Sequence, residues 1–331
     1  MEFGLFLANQ FEMDRSLDGI ADELIAQTKL ARDTGFSSLY IGEHHATDDR
    51  QYLLNEPLLA YLAGHIGEMT IETGMCLLPY HNPVRIAEYG ATMDVLTGGQ
   101  FRLGVAQGYR PKEYEVFGVD KADGLARFVE GIQLIKRLWT EDGVTYDGKV
   151  YSFDDVTINP KPIQDPRPEI IAGASNESSV RRAAKLTDGW LGAHVPFDQA
   201  TDQAAAFRDE RNKQDADEGF VGIAREVFVA DTTEEAESAV RDHLTAKYES
   251  YSAWGQDDVI EGDDFGSPWE KLKHGRFIVG TPAEVVAELE RYQETMDPDQ
   301  IMIRTQFPGM GFGEANRSIE LLGEEVLPEV Q

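Results

Sequence analysis

Short runs of apolar and β-branched residues alternate along this chain with longer stretches in which apolar residues recur every three or four positions. The runs Phe3 to Ala8, Phe36 to Gly42, Met69 to Leu78, Phe101 to Ala106, Glu169 to Ala172, Gly189 to Leu191, Ile223 to Ala230 and Ile301 to Arg304 read as strands. Between them, Ile20 to Thr34, Pro83 to Leu96, Ser175 to Lys185, Ala204 to Lys213, Thr233 to Lys247 and Pro282 to Glu294 carry the helical period. Eight strand candidates alternating with helices predict an α/β fold, a (β/α)8 TIM barrel. A doubly wound open sheet is the alternative, but Ala8-Asn9-Gln10 stands where its glycine fingerprint would open the first strand-to-helix turn.

One domain over residues 1–331 accommodates this alternation, with two insertions. Residues 146–166, with Tyr151, Phe153, Pro160 and Pro162, read as a hairpin and an extended crossover. Residues 251–274 are rich in Asp, Gly and aromatics, include Trp254 and Trp269, and are too long for a plain connection, so they read as a lid or as an acidic surface loop.

Charge narrows the partners. Asp and Glu number 60 against 30 Lys and Arg, a net charge of −30 that disfavours nucleic acid and anionic membranes. The basic residues divide into 11 Lys and 19 Arg. A Lys-poor, acid-rich surface suits a halophilic cytoplasm, where molar salt shrinks the Debye length to about 3 Å. Cys76 is the single cysteine, which excludes an intramolecular disulfide and a cysteine-based zinc site and fits a reducing compartment. No apolar run approaches membrane-spanning length, and Met1-Glu2-Phe3-Gly4 lacks the pattern of an export signal, so a cytoplasmic protein is expected.

A barrel would gather the groups at its strand ends into one mouth: Glu43, His44, His45, Tyr80, His81, Gln107, Tyr109, Ser175, His194 and Gln306. A single histidine beside a strand end is more often a hydrogen-bonded structural group than a catalyst, but four of the seven histidines fall there, which brings an acid/base site level with that reading. No metal is expected, because adjacent residues on a strand face opposite ways and no His-x-Glu or Glu-x-x-His spacing supports chelation. The run Ala172-Gly173-Ala174-Ser175-Asn176-Glu177-Ser178-Ser179 ends a strand and opens a helix; it serves as a phosphate site or as an ordinary N-cap, with Arg181 and Arg182 adding positive charge.

These stretches carry a resemblance. Glu43-His44-His45, Leu78-Pro79-Tyr80-His81-Asn82-Pro83-Val84-Arg85-Ile86-Ala87-Glu88, Gly99-Gln100-Phe101-Arg102-Leu103-Gly104, Val116-Phe117-Gly118, the Ser175 to Ser179 helix start and Val279-Gly280-Thr281-Pro282 follow one another as in the bacterial luciferase-like flavin monooxygenases, which the chain resembles over nearly its whole length. The resemblance implies one barrel with a flavin in its mouth. It places acid/base chemistry on His44, with Glu43 and His45 shaping the pocket and Glu113 as an acidic partner after the fourth strand. It implies a non-proline cis peptide at Gly74-Met75 under the flavin ring, and cofactor contacts from Gln107, Tyr109, Gly173, Ser175, Asn176, Ser179 and His194.

Departures from the family pattern bear on binding. Gln107 stands where luciferase places an arginine on the phosphate, so flavin binding is expected to be loose unless Arg110 or Arg182 substitutes. Ala106 replaces a reactive cysteine, and light emission is not expected. The resemblance implies reduced FMN delivered by a flavin reductase, O2 as second substrate, one oxygen atom inserted into a small aldehyde, ketone, alkene or similar molecule, and a homodimer. Two alternatives stay open: hydride transfer with the deazaflavin coenzyme F-420, and a non-catalytic flavin-binding partner subunit.

Overall fold

The structure, a computed structural model, describes residues 1–256, 260 and 265–330. Eight strands follow the apolar runs: β1 (Glu2–Phe6), β2 (Ser38–Ile41), β3 (Thr70–Thr73), β4 (Phe101–Ala106), β5 (Ile170–Ala174), β6 (Gly189–Gly192), β7 (Phe220–Val229) and β8 (Gln300–Arg304). All eight pair in parallel and in chain order, and the register Glu2↔Gln300 between β1 and β8 closes them into a barrel. The open-sheet alternative is thereby excluded.

Helices join successive strands: α1 (Ile20–Asp33), α2 (Asn55–Leu62), α3 (Pro83–Thr97), α4 (Pro111–Val116), α5 (Gly124–Thr140), α6 (Glu177–Leu186), α7 (Phe197–Lys213), α8 (Thr233–Ala253), α9 (Trp269–Lys273) and α10 (Pro282–Met296), with α11 (Phe312–Leu321) after β8. Local chemistry sets several starts. Asn82 accepts a hydrogen bond from the Val84 amide ahead of Pro83 at the first turn of α3, and Thr281 with Glu284 forms a capping box ahead of Pro282 in α10. Among the described residues, no helix is long and apolar enough to cross a membrane.

Strand alternation divides the core in two. Outward residues such as Leu5, Ile41, Ile71, Val105 and Val227 pack under the helices. Inward residues Phe6, Tyr40, Ile171, Leu191, Ala224 and Met302 fill the barrel. Below them lies a polar layer in which Arg102 spans Glu72 at 3.5 Å and Glu169 at 3.0 Å. Gly4 leaves room for the Tyr40 ring inside the barrel, where any Cβ would clash.

Two expectations change. Met69 to Leu78 is two strands, β3 and Cys76–Leu77, interrupted at the cis peptide Gly74-Met75. The seventh strand begins three residues earlier than its apolar run and extends past the ring, where Phe277–Gly280 pairs with it from outside. In the 146–166 insertion the hairpin is present, formed by Val144–Asp147 and Ser152–Val156. Of the 251–274 segment, residues 257–259 and 261–264 lie outside the described residues.

Candidate active site

The carboxyl ends of the strands surround a cavity of about 450 Å³, within the range of small-molecule sites. Phe6, Met75, Leu77, Leu191, Ala224 and Met302 give it apolar walls, and Ser175, Asn176 and Ser179 form a polar end. The expected residues Glu43, His44, Gly74, Met75, Gln107, Tyr109, Gly173, Ser175, Asn176, Ser179 and His194 all line it.

His44 projects from the loop after β2 into this cavity. Its Nδ1 donates to Glu113 Oε1 at 3.0 Å, and the same oxygen accepts the His45 amide at 2.9 Å and Arg110 Nη1 at 3.3 Å. Burial opposes ionisation of Glu113, but the His44 hydrogen bond and charge, the His45 amide and Arg110 outweigh it and hold the carboxyl below its usual range. An ionised Glu113 fixes the His44 tautomer with its proton on Nδ1, so Nε2 is the acceptor. Around the imidazole stand Trp254, Tyr52, Tyr109 and Tyr251, with ring centres 5.2, 5.5, 5.8 and 6.3 Å away.

His45 turns the other way. Its Nε2 donates to Glu43 Oε1, which also accepts from His81 Nε2 at 2.7 Å, while Glu43 Oε2 accepts the Leu77 amide at 2.9 Å. Burial opposes ionisation of Glu43, yet the two imidazoles hold it well below the usual carboxylate range. The His45 ring packs edge-on to Phe117 at 4.7 Å, behind the cavity wall. His45 is thus set against Glu43 rather than into the cavity. Glu43, Cys76 and His81 bring potential ligand atoms within 4.8 Å of one another, but both Glu43 oxygens already accept hydrogen bonds, and burial pushes the Cys76 thiol well up.

Asn176 caps α6 by accepting the Ser179 amide at 3.0 Å, so the N-cap reading of this stretch holds while its side chains still face the cavity. Arg181 is drawn away by Glu177 and Asp209, and Arg110 by His45 and Glu113 with its guanidinium 4.2 Å over Trp254, so neither reaches the polar end. Lys121 lines the cavity instead. Gln306 belongs to a separate cavity beside Gln10 and Phe307.

Several lining residues escaped the sequence reading: Tyr52, Lys121, Tyr251, Gln256 and Arg304. Arg304 had a usable signal, since it follows Met302 by two positions on β8 and so shares its inward face. Tyr251 lies in the last turn of α8 and accepts from Gln10 Nε2 at 3.0 Å, and Gln256 accepts from Tyr109 at 3.3 Å. On the same side His194 Nε2 lies 3.5 Å from Glu226 without a hydrogen bond, and burial pushes this imidazole down to about 3, leaving it neutral at pH 7.

A profile described as luciferase-like monooxygenase matches residues 1–297 of this chain. The chain belongs to that family. A curated relative, the oxygenase component of the flavin-dependent trigonelline monooxygenase of Acinetobacter baylyi, is 27% identical over 99% of this chain and 95% of its own length. Among solved structures, the oxygenating constituent of 3,6-diketocamphane monooxygenase of Pseudomonas putida, in complex with FMN, superposes with a TM-score of 0.82 at 20% identity, covering 100% of this chain and 99% of that one. An F-420-dependent secondary alcohol dehydrogenase gives the same TM-score of 0.82 at 16% identity, covering 100% of this chain and 99% of that one. At these identities the structural likeness establishes the TIM barrel common to the family; it does not choose between the two coenzymes.

Proposed function

We propose that this chain is the oxygenase component of a two-component monooxygenase, using reduced FMN from a separate flavin reductase and O2 to insert one oxygen atom into a small organic substrate. The observation that carries this reading is the His44–Glu113 pair on the wall of a cavity with an apolar middle and a polar, hydroxyl-bearing end. The cavity fits a flavin: the apolar walls suit a planar ring, and His194 Nε2 is a buried polar atom on the wall without a hydrogen bond. Gly74, Met75, Gln107, Tyr109, Gly173 and His194 would border the ring, and Ser175, Asn176 and Ser179, joined by Lys121, would hold the phosphate.

When bound, reduced FMN would supply the two electrons that activate dioxygen, chemistry that side chains lack. Glu113 keeps the proton of His44 on Nδ1, and Nε2 takes and returns the proton that moves during oxygen transfer. One oxygen atom enters the substrate and the other leaves as water. The aromatic edges of Tyr52, Tyr109, Tyr251 and Trp254 limit water around His44.

Hydride transfer with F-420 is the second reading, since an F-420-dependent secondary alcohol dehydrogenase shares this barrel. The decisive experiment supplies reduced FMN through a flavin reductase under 18O2 to a panel of aldehydes, ketones and alkenes, including wild type and His44→Ala. Incorporation of one labelled atom by the wild type and its loss in the variant support a monooxygenase; turnover without label incorporation contradicts it.

The same reading extends to assembly and setting. Leu54, Tyr61 and Leu96, on or beside α2 and α3, are 49, 53 and 61% exposed, which suits a homodimer formed through these early helices. The net charge of −30 suits a salt-rich cytoplasm.

A further inference from the structure

Arg304 is the last inward residue of β8, lines the cavity and is only 2% exposed. Its hydrogen-bonding partners are a phenol and a backbone carbonyl. Nη1 donates to the Tyr251 hydroxyl at 3.5 Å, Nε donates to the Gln306 carbonyl at 3.3 Å, and the guanidinium lies 4.6 Å over the Phe6 ring. Nη2 is buried without any hydrogen bond.

The nearby carboxylate is engaged elsewhere. Glu226 is paired with buried Lys247, so Arg304 has no carboxylate of its own on the β7 to β8 side of the cavity. Among the described residues, no carboxylate forms an ion pair with Arg304. A guanidinium cannot shed its proton, and a buried charge without a counter-charge is costly. The planar fork with a vacant Nη2 matches a carboxylate.

We infer that Arg304, with the Tyr251 hydroxyl beside it, is the anion subsite of this cavity and that the physiological substrate is a compact aromatic or cyclic carboxylate, its ring held among the aromatic edges that surround His44. The inference rests on the monooxygenase reading for the reaction but not for the binding. Tyr251 links the two ends: its ring centre is 6.3 Å from that of His44, and its hydroxyl meets Arg304. A ring-sized acid anchored on Arg304 would therefore lie against His44.

The test is titration calorimetry on the flavin-free full chain at fixed ionic strength, with benzoate and its neutral isostere benzamide as probes. Wild type should bind benzoate at least tenfold more tightly than benzamide. Arg304→Met should erase that preference while leaving benzamide unchanged, Arg304→Lys should keep part of it, and Tyr251→Phe should weaken benzoate several-fold. If Arg304→Met does not fold, the Lys and Phe variants decide the matter in the same way. Reduced FMN, titrated anaerobically into the variants, should bind within about threefold of wild type. Equal binding of the two probes, or an unchanged preference in the variants, overturns the subsite. Loss of reduced FMN binding with benzoate unaffected also overturns it, because the anion served would then be the flavin's own. Failure of reduced FMN to bind wild type would defeat the monooxygenase reading while leaving the benzoate preference to stand or fall by itself.

Discussion

His44 and His45 are neighbours in sequence, yet each is held by a different carboxylate in a different setting. His44 faces the cavity, and one Glu113 oxygen collects its Nδ1, the His45 amide and Arg110. His45 faces the protein, and Glu43 ties it to His81 and to the Leu77 amide just beyond β3. Their side chains are almost equally exposed, at 12 and 15%, so burial does not separate them; direction does. Two His–Glu systems of like composition can thus serve chemistry on one side of a strand end and architecture on the other.

The largest expected effect splits the two sides. His44→Ala should lower the rate of oxygen transfer about 10²- to 10⁴-fold, the range for a lost acid/base group, while shifting unfolding free energy by no more than about 1 kcal/mol. Glu43→Gln should do the reverse. It breaks a buried carboxylate that accepts three hydrogen bonds and should cost about 3–5 kcal/mol of stability in urea unfolding, with turnover of the folded fraction largely kept. If Glu43→Gln abolished turnover at full stability, the division would fail.

Acid sharpens the comparison. Both carboxyls are held below their ordinary pKa of about 4.3, so the stability they contribute is complete above that pH and is lost as pH falls through and below it. Glu43→Gln should therefore flatten the acid limb of a stability-against-pH curve more than Glu113→Gln, because two imidazoles hold Glu43. Between about pH 4.3 and 6.5 the wild type should change little. There His194, pushed down to about 3, loses stability as pH falls, while Glu72, pushed up to about 7 by its burial, loses it as pH rises, and the two slopes oppose. A steep wild-type slope in that interval would contradict this balance.

The smallest effect concerns the surface. Raising salt from about 0.15 M to about 1 M should raise the unfolding midpoint of wild type and of Glu43→Gln by similar amounts, since screening acts on the exposed acidic surplus and barely on the buried cluster. A salt response confined to the wild type would place the Glu43 cluster among the screened groups.

Much of this was legible in the chain. The barrel followed from eight apolar runs and the helical periods between them, and His44, Glu113 and the Ser175 to Ser179 turn followed from ordered motifs. Helix α5 is absent from the helical periods named above although Phe128, Ile132, Ile135 and Trp139 carry its buried face. The opposite orientations of His44 and His45 were not legible, because both lie in the loop after β2 and the His44–Glu113 contact that turns one of them joins residues 69 positions apart. Arg110 and Arg181 were read as charge for a phosphate, and their long side chains found nearer acceptors. Tyr251 and Arg304 reach the cavity from distant elements that only the closed barrel brings together.

The most direct test of the central claim is an anaerobic titration of the purified chain in high salt with reduced FMN and, separately, reduced F-420, followed by an oxygen pulse. The account predicts preferential binding of reduced FMN, with oxygen consumption by the bound flavin slower than by free reduced FMN and altered by His44→Ala. Preference for reduced F-420 together with indifference to oxygen would contradict it and make the cavity a site of hydride transfer.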